Sequence, residues 1–266
     1  DIWLIQYYYG SVEQGYYTLA LKISTIVMLL ISPISVLLLR EMSQKYEKKS
    51  VKEIRKMYKK YSYLFCFIAA YFSIFISSNA EFIGMVIGGE EFKDALMIIM
   101  LMALYPVHNV YGLIVSNILL VRGRTDFLRN VALITLIPGV AISFFLIAPV
   151  ESHGFGLGAM GLAIKVLAIQ FISVNIYLMN VVKYLKLSFL KEVGNQVVII
   201  LTLYALVKLT QYSVLLYIDN MFIIFIVSGI FYSVLAYALI MFYPAIIGMT
   251  YTEVRHYSEM IKKQLN

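Results

Sequence analysis

Charged residues are scarce in this 266-residue chain: Asp, Glu, Lys and Arg make up only 14% of it, against 61% hydrophobic residues. A soluble domain is about a quarter charged and closer to half apolar. A larger core cannot absorb the excess, because a chain of this size must still cover its surface with polar groups. A surface that faces lipid removes the difficulty. Cysteine is nearly absent too. Cys66 stands alone, inside an apolar run, so an intrachain disulfide is excluded. The three histidines, His108, His153 and His256, lie in unrelated places, and no histidine metal cluster is visible. A glycine-rich, lysine-bearing phosphate loop is missing. So is a long polar loop that could carry the acidic or basic catalytic residues of a membrane glycosyltransferase. No cofactor, metal or covalent chemistry is therefore expected.

Long apolar runs take the place of what is missing. A spanning helix needs about 20 mostly apolar residues. Seven stretches qualify, at 15–39, 61–80, 95–121, 131–149, 157–179, 196–217 and 221–243. Residues 2–9 read as the last turns of a further helix, and 10–14 as a tight turn. This pattern leads us to expect a preceding part of the polypeptide. The 22 tyrosines suit the membrane–water interface, where the ring is buried and the hydroxyl stays wet.

The net charge of +7 is distributed in a way that argues for topology rather than nucleic-acid binding. Residues 40–60 carry nine Lys/Arg; 122–130, 180–195 and the tail from Pro244 carry three each, so 18 of the 22 lie in alternate connections. The other connections hold Lys93 together with Glu13, Glu81, Glu90, Glu91, Asp94, Glu151 and Asp219. The positive-inside rule then places the basic side, and the C-terminus, in the cytoplasm. The 40–60 segment is also expected to lie against anionic lipid headgroups. Within it, Ser50 and Glu53 have capping-box spacing and predict a helix from about Val51.

A few polar residues lie at depths where ionisable groups are costly and usually face a bundle interior or a watery cavity. Lys22 shares a helical face with Thr18, Thr25 and Ser32. Lys165 lies in line with Gly158, Gly161 and Ala168, small residues that also permit close helix packing. His108 shares a face with Tyr105, Gly112 and Ser116, behind a kink expected at Pro106. Lys208 shares one with Tyr204, Gln211 and Tyr212 near the outer end, where a lysine can snorkel. Asp1 is placed to pair with one of the lysines. These five residues are the candidate cavity-lining set. Intramembrane cations without a matching run of acids suit an anionic substrate.

Several short motifs carry a resemblance. Asp1-Ile-Trp-Leu-Ile, Tyr9-Gly10 and Glu13-Gln-Gly-Tyr-Tyr-Thr-Leu-Ala20 resemble the start of the second half of polysaccharide flippases. These belong to the multidrug/oligosaccharidyl-lipid/polysaccharide superfamily. Gly89-Glu-Glu-Phe-Lys-Asp-Ala95 resembles its external turn, Arg122-Gly-Arg-Thr125 its cytoplasmic turn, and Leu157-Gly-Ala-Met-Gly-Leu-Ala163 the start of its twelfth helix. The order and spacing match over nearly the whole chain. The resemblance implies an all-α integral membrane protein, a polytopic helix bundle. Residues 1–179 would be the second six-helix lobe with its first helix truncated, 180–243 two additional C-terminal transmembrane helices, and 244–266 a cytoplasmic tail. It further implies alternating-access transport of a polyprenyl-pyrophosphate-linked oligosaccharide, with a missing N-terminal lobe as partner and cavity lysines meeting the pyrophosphate. Some relatives bind sodium with a helix-7 Asp, which Asp1 would match, and an Asn or Asp of helix 11; residues 131–149 contain neither. A multidrug or cation antiporter of the same superfamily, and a membrane glycosyltransferase or ligase, are the rival expectations.

Overall fold

The computed structural model describes residues 1–215 and 220–265. Asp219, counted above among the external acids, and the last residues of the span at 196–217 lie outside the described residues. Among the described residues no strand occurs, and seven helical segments are long and apolar enough to cross a membrane. The chain is a multi-pass, all-α membrane bundle.

The helices are α1 (Ile2–Glu47), α2 (Val51–Ser78), α3 (Ala80–Gly88), α4 (Leu96–Met102), α5 (Tyr105–Val121), α6 (Thr125–Ile147), α7 (Gly158–Leu185), α8 (Phe189–Leu215), α9 (Met221–Phe242) and α10 (Tyr251–Leu265). The turn expected at 10–14 contracts to one residue. Gly10 adopts φ 85°, ψ −175°, a region essentially reserved for glycine, and helix resumes at once. Pro106 does more than kink its span. Because proline cannot donate an interior helix hydrogen bond, it sits in the first turn of α5, and the chain breaks at Ala103–Leu104. The 40–60 segment is not an open loop. Its Lys, Arg and Glu residues are good helix formers, so α1 and α2 run on past the apolar region and meet in a turn at Lys48–Ser50. α2 does begin at Val51, but the Ser50 side chain makes no capping hydrogen bond.

Three clusters fill the interior. One gathers Leu4, Ile5, Tyr17 and Ala20 with Ile99, Met102, Ala159 and Leu162. A second joins Ile31 and Met42 to Tyr58, Phe65, Ile114, Ile118 and Leu178. The third ties α8 and α9 to the rest through Phe67, Ile74, Leu203, Val207 and Tyr232. In the seam between α6 and α7, a Cβ on Gly139 would meet Ile169 Cδ1 at 2.7 Å, and one on Gly161 the Leu146 carbonyl oxygen at 2.6 Å. Glycine at both positions is what lets these two helices approach so closely.

The connections sort to two ends. At one end Lys60 pairs with Glu253 at 3.2 Å, Arg122 donates to Asn180 at 2.9 Å and lies 4.0 Å from the Tyr184 ring, and Tyr177 donates to the Leu128 carbonyl. These contacts join the basic segments in two pairs, 40–60 with the tail and 122–130 with the end of α7. At the other end Tyr16 donates to the Glu91 carbonyl and stacks edge-on with Phe92, while Phe82 meets Phe222. Lysine and arginine thus collect at one end of the bundle and the acidic turns at the other.

Candidate functional site

The site lies where the first turn of α1, the middle of α6 and the N-terminal half of α7 converge. Lys165 stands two turns into α7, 8% exposed, and its ammonium reaches the Asp1 carboxylate at 2.5 Å. The side chain passes over Gly139 of α6, whose Cβ position is 3.4 Å from Lys165 Cε. A larger residue at 139 would displace it. Burial of an ammonium is tolerated only with compensation, and the one carboxylate in contact supplies it. Asp1 is the more open member, with 30% of its side chain exposed against 9% for the lysine.

A second tie holds the same two helices together. Glu13 Oε1 accepts a hydrogen bond from the Ala159 backbone N–H at 3.1 Å, in the first turn of α7. One of the unpaired donors at that helix start is satisfied, and a negative charge meets the positive end of the helix dipole. Sequence reading placed Glu13 only among the external acids. Its partner is 146 residues away.

The other candidates do not join Lys165. Lys22 is exposed on α1, beside exposed Thr25 and Ser32 and half-buried Thr18. The three hydroxyls of this stripe donate to carbonyls of their own helix: Thr18 to Gln14, Thr25 to Lys22 and Ser32 to Met28. They are satisfied without added water, leaving Lys22 as the only group on the stripe that still demands a polar partner. His108 is half-buried between α5 and α7, its ring 5.1 Å from that of Phe171 and its Nε2 3.4 Å from Asn175 Nδ2. Lys208 is exposed on α8, 3.4 Å from Gln211 Oε1 and 5.7 Å from the Tyr204 ring. Gln211 in turn donates to Ser78 O and Asn79 Oδ1, which fastens α8 to the end of α2.

Among the described residues no group of three or more His, Cys, Asp or Glu is placed to hold a metal ion. α6 starts earlier than the span read from hydropathy and so includes Asp126 and Asn130. Both are exposed, and Asp126 pairs with Arg129 at the basic end, away from Asp1. Asp1 therefore meets a lysine and no acid or amide of α6.

Comparison with family models, with curated proteins and with solved structures finds no match for this chain.

Proposed function

We propose that this chain is the second lobe, with two further helices, of a flippase that moves a polyprenyl-pyrophosphate-linked oligosaccharide across the cytoplasmic membrane for cell-surface polysaccharide synthesis. The observation that carries the reading is Lys165, an ammonium enclosed at membrane depth and held by a half-open carboxylate. A pyrophosphate reaching this position offers the lysine the same charge-assisted hydrogen bonding that Asp1 gives it. Exchange of one anion for the other loads the site without stranding the cation. Lys22, exposed on α1 and apart from Lys165, is proposed as a second contact along the path of the anion. No bond is made or broken; the lobe tilts against its counterpart and the substrate changes side. The missing N-terminal lobe supplies the opposite wall, lipid surrounds both, and the basic end faces the cytoplasm.

The test is export by the full-length protein, normalised to its amount in the membrane. Lys22→Ala and Lys165→Ala are expected at near-normal levels with most glycan export lost, and arginine at either site retains more activity than alanine. Normal export by the double alanine variant overturns the reading. Export of cationic drugs that survives in the same variant supports the antiporter instead.

A further inference from the structure

Glu192, in the first turn of α8, looks from sequence like one more solvated residue of a basic connection. It is 1% exposed. Oε1 accepts a hydrogen bond from Tyr63 at 3.4 Å, and Tyr63 receives one from Asn195. Oε2 makes no hydrogen bond of good geometry, although the buried Tyr58 hydroxyl faces the carboxylate. The Tyr111 hydroxyl and Gln196 Nε2, also buried, face Cys66 and His108 in the same way. The ionisable groups facing this pocket are Tyr58, Lys59, Tyr63 and Cys66 from α2, Tyr111 and His108 from α5, and Lys191 from α8 itself. Both lysines turn outward and are exposed, and among the described residues Glu192 takes part in no ion pair.

An ionised carboxylate so enclosed needs a cation or must become neutral. Lys59 and Lys191 act on it only at a distance, and neither forms an ion pair with it. A bound metal would find one carboxylate and otherwise only neutral oxygens, and no second acid. A proton requires no room. The protonated carboxyl can still accept from Tyr63 and adds an O–H that a neighbouring hydroxyl oxygen can accept.

We propose that Glu192 is a proton-binding site, loaded with one proton in this conformation and emptied only when the seam between α2 and α8 opens at its basic end. The seam is clasped twice: here by Tyr63, Asn195 and Glu192, and at the opposite end by Gln211 on Ser78 and Asn79. The second clasp contains no carboxyl group, and its one ionisable neighbour among the described residues is the exposed Lys208 on Gln211 Oε1, so loss of the Glu192 proton acts on one end alone. Once the proton leaves, the carboxylate must reach water, and α8 swings out about the far clasp. The inference holds whatever the transported molecule is.

Infrared difference spectra of the full-length protein in lipid nanodiscs, neutral against alkaline, test it. The expected result is a protonated-carboxyl C=O band at neutral pH that is lost in Glu192→Gln. Should that variant fail to fold, Glu192→Asp assigns the band by shifting it. Absence of the band in the native protein, or a band indifferent to both substitutions, overturns the proposal. So does a loss of the band on adding sodium or potassium at constant pH, which would make the site a cation site. Hydrogen exchange over residues 189–196, corrected for its intrinsic pH dependence, should rise at alkaline pH in the native protein and stay flat in Glu192→Gln. An equal rise in both refutes the opening of the seam.

Discussion

Breaking the Asp1–Lys165 pair should have unequal consequences depending on which partner is removed. Asp1→Asn leaves an ammonium that is 9% exposed with no counter-charge. Removing one partner of a fully buried pair costs about 3–5 kcal/mol. The 30% exposure of Asp1 admits screening by solvent, so roughly 2 kcal/mol is expected here. Lys165→Met keeps the volume over Gly139, removes the buried charge, and strands only the more open carboxylate. Its cost should be below about 1 kcal/mol. With both changes the molecule should return to near-native stability, giving a coupling of about 2–3 kcal/mol. The assay is a double-mutant cycle on unfolding of the full-length protein in mild detergent. Additivity within about 0.5 kcal/mol, or Lys165→Met costing as much as Asp1→Asn, would refute the pairing argument.

Glu13→Ala should lower the thermal midpoint through loss of about 1 kcal/mol of capping at α7, whereas Glu13→Gln, which still accepts from Ala159 N–H, should lose less; equal losses would show that the hydrogen bond contributes nothing. The Glu253 carboxyl lies outside the spans and titrates below the usual carboxylate range, first because the Thr250 backbone N–H donates to it and also because Thr250 Oγ1 and Lys60 do. A group lowered on folding contributes stability that is complete above its unfolded value and is lost as pH falls through the folded value. Docking of the start of α10 on α2 should therefore be constant at neutral pH and fail only below the ordinary carboxylate range. Proteolysis of residues 248–256 against pH measures this, and protection that falls between pH values well above that range would contradict it. Cysteines at 49 and 124 should resist an impermeant thiol reagent in intact cells while one at 91 reacts; Cys66 is fully buried and needs no removal. The reverse pattern would invert the assigned topology.

The spans were legible because a bilayer writes its thickness directly into the length of an apolar run, independent of what packs where. Charge sorted the connections for the same reason, and the contacts at the two ends follow that sorting. What escaped the one-dimensional reading depends on rotation about helix axes and on partners far along the chain. Lys22 and Lys165 stand at similar depth in sequence, yet one lies on an exposed face of α1 and the other is enclosed between α6 and Asp1. The 40–60 segment reads as a loop by hydropathy, because hydropathy scores solvation and not helix propensity. Glu192 is the sharpest case. Its neighbours Lys191 and Gly194 are exposed, and only the packing of α8 on Tyr58 and Tyr63 encloses it.

The two buried charges also divide the molecule. Lys165 is compensated from within by Asp1, so its energetic demand is met whether or not a ligand is present, and on the proposed reading an incoming anion competes with that carboxylate. Glu192 is held by the neutral Tyr63 hydroxyl and has no cationic partner among the described residues, which is why a proton is proposed for it. On the two proposals, the first site would exchange one anion for another, and the second would hold its proton as a condition of remaining closed. The first lies toward the acidic end of the bundle and the second toward the basic end. α2, α5 and α7 run between them, packed through Phe65, Val110, Ile114 and Leu178. A shift of α8 that empties Glu192 must repack against α2 and α5, through Phe67, Tyr111 and Leu203. Because well-packed interiors resist continuous deformation, such a shift moves whole helices and not single side chains.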